Sequence, residues 1–173
     1  MKRAFLLAIL YLAISIAATR SSGCPAAEPA VYFSPKGGCT QAVVDELARA
    51  KKTVRVQAYN FTSPPIVAAL IAAHGRGVDV QLCLDARAAA SKGNAGRQCA
   101  AAGLPTFVDA AHPIAHSKVM IIDGETLVTG SFNFSKQAEK NLENLLVIHD
   151  AGLAAKYLAN WSEHQKHCQP LGK

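Results

Sequence analysis

Residues 116–133 read His116-Ser117-Lys118-Val119-Met120-Ile121-Ile122-Asp123-Gly124-Glu125-Thr126-Leu127-Val128-Thr129-Gly130-Ser131-Phe132-Asn133. Two apolar runs flank Asp123-Gly124, a dipeptide suited to the left-handed backbone of a tight hairpin turn, so two antiparallel strands are expected. Side chains two apart on a strand point the same way, which puts His116 with Lys118 and Ser131 with Asn133. If Asp123-Gly124 is a two-residue loop, His116 falls opposite Ser131 and Lys118 opposite Thr129. Moving the loop to Gly124-Glu125 sets His116 against Asn133 and Lys118 against Ser131. Both registers gather the four polar groups on one side of the hairpin's open end; a three-residue loop would separate them.

Outward from the hairpin, strands and helices alternate. Val31-Tyr32-Phe33 reads as a short strand. The spacing of Val43, Val44, Leu47 and Ala48 predicts an amphipathic helix over Thr40 to Lys51. Thr53 to Phe61 alternates as a strand, and Ser63-Pro64-Pro65 caps a helix that ends near His74-Gly75. Val78 to Leu84 is a further strand, Ser91 to Arg97 a flexible loop, Gln98 to Ala102 a helical turn and Thr106 to Val108 a strand. Beyond the hairpin come a helical turn over Ser135 to Lys140, a strand over Asn144 to Ile148 and a closing helix over Ala151 to Lys166. This order predicts an α/β fold, a mixed β-sheet flanked by helices, with one domain per chain.

The 173 residues suit one domain, and a composition that is 50% hydrophobic and 17% charged excludes a disordered or collagen-like chain. Lys2-Arg3, the apolar run Ala4 to Ala18 and the polar Thr19 to Ser22 have the form of a secretory signal peptide, with small residues suited to cleavage after residue 17 or residue 23. Domain boundaries of 1–23 and 24–173 follow. An uncleaved anchor is the rival reading, although the run is shorter than the roughly 20 residues that span a bilayer; lipidation of Cys24 is another. Loss of Lys2 and Arg3 with the leader takes the formal charge from +6 to at most +4, too mild to establish nucleic-acid binding.

Export would permit disulfides among Cys24, Cys39, Cys83, Cys99 and Cys168, but five cannot all pair within one chain. Cys83, inside the apolar run Val80 to Leu84, is expected to be a buried free thiol. Asn60-Phe61-Thr62, Asn133-Phe134-Ser135 and Asn160-Trp161-Ser162 are glycosylation sequences, and a glycan on Asn133 would block the polar cluster. A bacterial periplasmic or secreted location is therefore expected.

An ammonium, a hydroxyl, a carboxamide and an imidazole at one place suit an oxyanion. Lys118 supplies charge, Ser131 and Asn133 neutral donors, and His116 can attack or move a proton near neutral pH. A phosphodiester suits this equipment better than a carbonyl, because several donors can surround its non-bridging oxygens. A hydrogen-bonded polar rim on a sheet edge is the plain structural alternative.

At these residues the sequence resembles the phospholipase D superfamily. His116-x-Lys118, Asp123 and Gly130-Ser131-x-Asn133 reproduce its HxKx4Dx6GSxN signature without a gap, and the likeness is greatest to small exported bacterial endonucleases with one motif per chain. The resemblance implies that His116 attacks phosphorus to give a phosphohistidine, and that His116 of a second copy protonates the leaving oxygen. Lys118, Asn133 and Ser131 would hold the phosphoryl oxygens, and Glu143 would bond the other imidazole nitrogen. Asp123, at the turn, is expected to serve the fold. It further implies no cofactor or metal, DNA as the main substrate with RNA as a second, and a homodimer with its active site on the two-fold axis.

Two rivals remain open on the residues. A phospholipase would favour an apolar rim, for which Phe61 and Phe134 are the main loop residues. A non-catalytic anion-binding module would need Lys118 and Asn133 but not His116 with Glu143. Lys92 and Arg97 are candidate phosphate-backbone contacts. His164-Gln165-Lys166 repeats HxK without a following GSxN and is expected on a solvated helix face. His74 is read as a helix end, His112 as a loop residue and His149 as a strand end. His164, His167 and Cys168 are not expected to form a metal cluster.

Overall fold

The computed structural model describes residues 28–172; the segment expected to be a leader and Cys24 lie outside them. Eight strands form one sheet in the order β1-β7-β6-β5-β2-β3-β4-β8. They are β1 Ala30–Ser34, β2 Thr53–Ala58, β3 Asp79–Asp85, β4 Thr106–Asp109, β5 Lys118–Ile122, β6 Thr126–Gly130, β7 Glu143–His149 and β8 Gln169–Pro170. β2, β3 and β4 run parallel and every other neighbouring pair antiparallel, so the sheet is mixed as expected. Helices α1 Cys39–Arg49 and α2 Pro64–Gly75 follow β1 and β2. α3 Ala86–Ala90 and α4 Gly96–Ala101 join β3 to β4, and α5 Ala151–Gln165 follows β7.

Alternation along the strands sorts the core into two layers. Val54, Val56, Val80, Leu82, Met120, Ile122 and Val128 face α1 and α2, while Val119, Ile121 and Leu127 face Ala154 and Trp161 of α5. β5 is buried along its whole length because both layers cover it. Each fully buried Val, Leu or Ile contributes roughly 1.5–3 kcal/mol relative to exposure, so the strand carrying Lys118 belongs to the most stable part of the molecule. Trp161 keeps its indole N–H satisfied by donating to the Val56 carbonyl oxygen at 3.2 Å.

Several local expectations change. Ser63 makes no side-chain cap at α2; its backbone N–H donates instead to the Phe134 carbonyl at 3.0 Å. α3 was not anticipated, although Asp85 caps it by accepting the Ala88 N–H at 2.7 Å. α4 begins at Gly96 and absorbs the end of the expected loop. Cys83 is not a free thiol. It lies on the sheet face opposite Leu82 and Leu84, toward the end of α5, and forms a disulfide with Cys168. Cys39 and Cys99 are the buried free thiols among the described residues. Phe61 and Phe134 are fully buried and form no exposed rim.

The hairpin register also differs. Asp123 (φ 55°) and Gly124 (φ 72°) make the tight left-handed turn, closed by the Glu125 N–H donating to the Ile122 carbonyl at 3.1 Å. The ladder nevertheless pairs Ile122 with Thr126, Met120 with Val128 and Val119 with Thr129, leaving Glu125 as an extra residue. Continued, that count sets Lys118 against Gly130. This is the three-residue register expected to scatter the polar groups, yet they stay together, for a reason found at the end of β6.

Candidate active site

The parallel strands β2 and β3 end where β5 and β7 begin, so the C-terminal ends of the parallel strands share one edge with Lys118 and Glu143. A cavity of about 580 Å³ opens there, lined by His116, Lys118, Ser131, Asn133, Glu143 and Tyr157 among others. Strict alternation would send Ser131 to the face opposite Lys118. β6 stops at Gly130, however, whose φ of 152° suits glycine, and a Cβ there would run into the Asn144 carbonyl. The chain bends at that point. Ser131 is then clamped to β7: its Oγ accepts the Asn144 N–H at 3.0 Å, and its own N–H donates to Asn144 Oδ1 at 3.4 Å. Phe132 turns into the core and anchors the segment that holds Asn133.

Lys118 is 7% exposed. Its Nζ lies 2.8 Å from Nδ1 and 3.1 Å from Nε2 of His116, and it donates to the His116 carbonyl oxygen at 2.6 Å. An ammonium has no lone pair, so a ring nitrogen that bonds to it must accept, which only an unprotonated nitrogen can do. Burial pushes the Lys118 ammonium below its ordinary value, and the charge of Glu143 partly opposes this. Glu143 does not make the bond expected of it to His116, whose two ring nitrogens both face Lys118 Nζ; its Oε1 accepts instead from Asn141 Nδ2 at 3.1 Å. Asn133 Oδ1 is buried with no donor among the described residues.

Three contributors to this end of the sheet carried no sequence signal of their own. The Tyr59 ring stands 4.6 Å from the His116 ring, centroid to centroid, and 5.6 Å from Lys118 Nζ. Tyr157 reaches the cavity from α5. Asp85, buried at the end of β3, accepts the Ala115 N–H just before His116.

Asp123 stands at the other end of β5. Its carboxylate accepts the N–H groups of Lys51, Lys52 and Thr53 at 2.9, 2.7 and 2.9 Å, tying the hairpin turn to the start of β2.

Lys92 and Arg97 do not line the cavity. The Ala95 N–H donates to the Phe61 carbonyl at 2.9 Å and Asn94 Oδ1 accepts the Gly96 N–H at 2.8 Å, which seats α4 beside β4. Arg97 accordingly borders a different hollow, with Leu104, Phe107 and Leu171. His164 is not on a solvated face either: it packs with His112 and His167, while Cys168 is taken by the disulfide.

Residues 43–164 match the family described as cardiolipin synthase, PLD-like domain. A phospholipase D of Rickettsia bellii is 41% identical over 130 residues, covering 75% of this chain and 65% of the relative; the chain thus spans just under two thirds of that relative. Nuc from Salmonella typhimurium, a phospholipase D family member, superposes with a TM-score of 0.80 at 38% identity over 84% of this chain and all of that one. NucT from Helicobacter pylori shares the fold, with a TM-score of 0.75 at 21% identity over 83% of this chain and 99% of its own. With His116, Lys118, Gly130, Ser131 and Asn133 of the HxKx4Dx6GSxN signature converging at one cavity in this fold, and Asp123 fixing the far end of the same hairpin, the chain belongs to the phospholipase D superfamily.

Proposed function

We propose that this chain is an exported, metal-independent phosphodiesterase that cleaves nucleic acid, DNA foremost, with little sequence preference, working as a homodimer. The observation that carries the reading is a single exposed imidazole, His116, against the buried Lys118 ammonium, in a cavity that also holds Ser131 and Asn133. In this reaction a lone pair of His116 forms the P–N bond as the P–O bond to the leaving group breaks. The leaving oxygen takes its proton from the imidazolium of a second copy. Water then attacks phosphorus, gives a proton back to that second imidazole, and the P–N bond breaks to restore His116.

Lys118 and the Asn133 amide hold the non-bridging oxygens. Ser131, whose Oγ already accepts from Asn144, still has its O–H to donate. Glu143 is the one carboxylate among the lining residues, and neutralising the phosphate charge falls to Lys118. The disulfide between Cys83 and Cys168 agrees with an oxidising compartment.

A second copy suits the surface beside the cavity. Phe33 and Leu142 are 57% and 90% exposed, and the register places Phe33 opposite Asn144, next to Glu143. The same two side chains, with the names of the Rickettsia relatives, favour lipid as the second reading. The deciding assay incubates the purified chain, in excess chelator, with plasmid DNA and separately with phosphatidylcholine and cardiolipin vesicles. Nicked DNA without headgroup release is expected. Headgroup release without nicking would establish the lipid reading, and nicking that appears only with Mg²⁺ would overturn the mechanism.

A further inference from the structure

Half of the six histidines lie away from the catalytic cavity in one cluster. Asp109, at the end of β4, and His112, three residues on, face His164 and His167 from the last turn of α5 and just beyond it. One ligand atom from each of the four lies within 4.8 Å of the others. Asp109 Oδ2 is 2.9 Å from His112 Nδ1 and 3.3 Å from His167 Nε2, and the three imidazole centroids are 5.1 to 5.4 Å apart. We propose that these four side chains form a binding site for one divalent transition-metal ion of the zinc type.

The donor set is what such an ion takes: three neutral imidazoles and one carboxylate, in tetrahedral number. Two pairs with the same three-residue spacing, one from a loop and one from a helix end, converge on one point. Ligand atoms around tetrahedral zinc stand about 3.3 Å apart. The half-buried imidazoles reach that separation by side-chain rotation about a buried carboxylate that stays fixed. A framework of hydrogen bonds to Asp109 accounts for His112 and His167, but it does not account for His164. That imidazole makes no side-chain hydrogen bond among the described residues, yet it stands within ligand distance of the other three. The cluster is also braced on its far side, because Cys168, next to His167, is bonded to Cys83 of β3.

Binding needs no oxidant or co-reactant. His112 Nδ1 and His167 Nε2 give up the hydrogens they share with Asp109, which move to the other ring nitrogens or to solvent, and the freed lone pairs take the metal. The consequence for the enzyme is positional. A cavity of about 130 Å³ is lined by Asp109, His112 and His164 and also by Ile114 to Ser117, so the ion would clamp the segment that, on the proposed function, presents the nucleophile.

The test uses the exported chain freed of metal by dialysis against chelator and titrated with ZnCl₂ in a calorimeter and in thermal melts. One zinc per chain is expected, with a melting temperature that rises saturably. His112→Gln and His164→Gln should each weaken binding at least tenfold and remove the thermal rise. His116→Asn should leave zinc affinity within about twofold. His164→Gln removes no hydrogen bond, so its metal-free melting point should match the wild type and keep the test valid if His112→Gln unfolds. No saturable binding at one per chain, or undiminished binding in His164→Gln, overturns the proposal. Loss of binding in His116→Asn does so too, because the ion would then belong to the catalytic cavity.

Discussion

One carboxylate oxygen of Asp85 accepts the backbone N–H of Ala115 at 2.9 Å, while the other accepts the N–H of Ala88 at 2.7 Å. Asp85 is 2% exposed, so a buried group at the end of a central strand fixes the residue immediately before His116. In the proposed reaction it would touch no reacting atom and would act through the backbone, as a positioning residue.

Asp85→Asn keeps the volume and turns one acceptor into a donor facing an N–H. A displacement of about 1 Å in a nucleophile can cost on the order of a hundredfold in rate. The variant is expected to lose between about tenfold and a hundredfold in kcat on plasmid DNA while KM changes little. Steady-state kinetics read this directly. A KM effect with kcat preserved would move Asp85 from positioning the nucleophile to shaping the substrate surface.

Lys118 holds the charge that the proposed reaction needs in an unfavourable place for one. Burial lowers its proton affinity, Glu143 offsets this in part, and the side chain is almost fully covered. Because the unfolded chain holds that proton more tightly, wild-type stability should rise with pH between the lowered folded value and the ordinary one for lysine. Lys118→Met removes the buried charge at similar length. It should lower turnover by about a hundredfold or more, as loss of one oxyanion donor does. Stability at neutral pH should be unchanged or slightly higher, and the alkaline rise should vanish. Denaturant melts across pH measure both, and clear destabilisation by Lys118→Met would show that the ammonium serves the fold.

Asp123 gives the opposite sign. Burial would raise its carboxyl, but the N–H groups of Thr53, Lys52 and Lys51, with the Lys52 charge, outweigh it and hold the group below the ordinary carboxylate value. Its contribution is therefore complete above the unfolded value and lost as pH falls through the folded one. Asp123→Asn tolerates the left-handed backbone at this position while weakening the three bonds. A loss of about 1–3 kcal/mol at pH 7 is expected, shrinking toward zero in acid, with kcat preserved at temperatures where the variant is folded. Equal destabilisation at all pH values would mean that shape, not charge, matters there.

How much could be read in advance follows from which contacts are local. The hairpin, its motif and the two-sided burial of β5 are legible because apolar periodicity and the Asp-Gly turn act over a few residues. The register was not. Glu125 enters the ladder as an extra residue, and the polar cluster holds because Gly130 ends β6, a packing constraint from Asn144 that no spacing announces. Cys83 was misread for a related reason. An apolar run shows that a strand is buried but not which of its faces meets the end of α5, and there the partner thiol lies 85 residues away. Tyr59, Asp85 and the group of His112, His164 and His167 likewise depend on elements distant in sequence meeting in space.

The dimer can be tested by stoichiometry. The proposed reaction uses two imidazoles, one to attack and one to protonate, and this cavity holds one His116. A two-fold axis through the cavity would bring each His116 to face its own copy. Two cations so placed repel, so the pair would share one proton, leaving one neutral nucleophile and one acid. His116→Asn subunits refolded with an equal amount of wild type should then give about one quarter fully active dimers, and activity should follow the square of the wild-type fraction. Independent sites would retain about half the activity, linear in that fraction. Native mass spectrometry with one subunit carrying a mass tag confirms that the mixed species form, so a linear curve from a fully mixed sample, or undiminished turnover by monomer at limiting dilution, would refute the shared site.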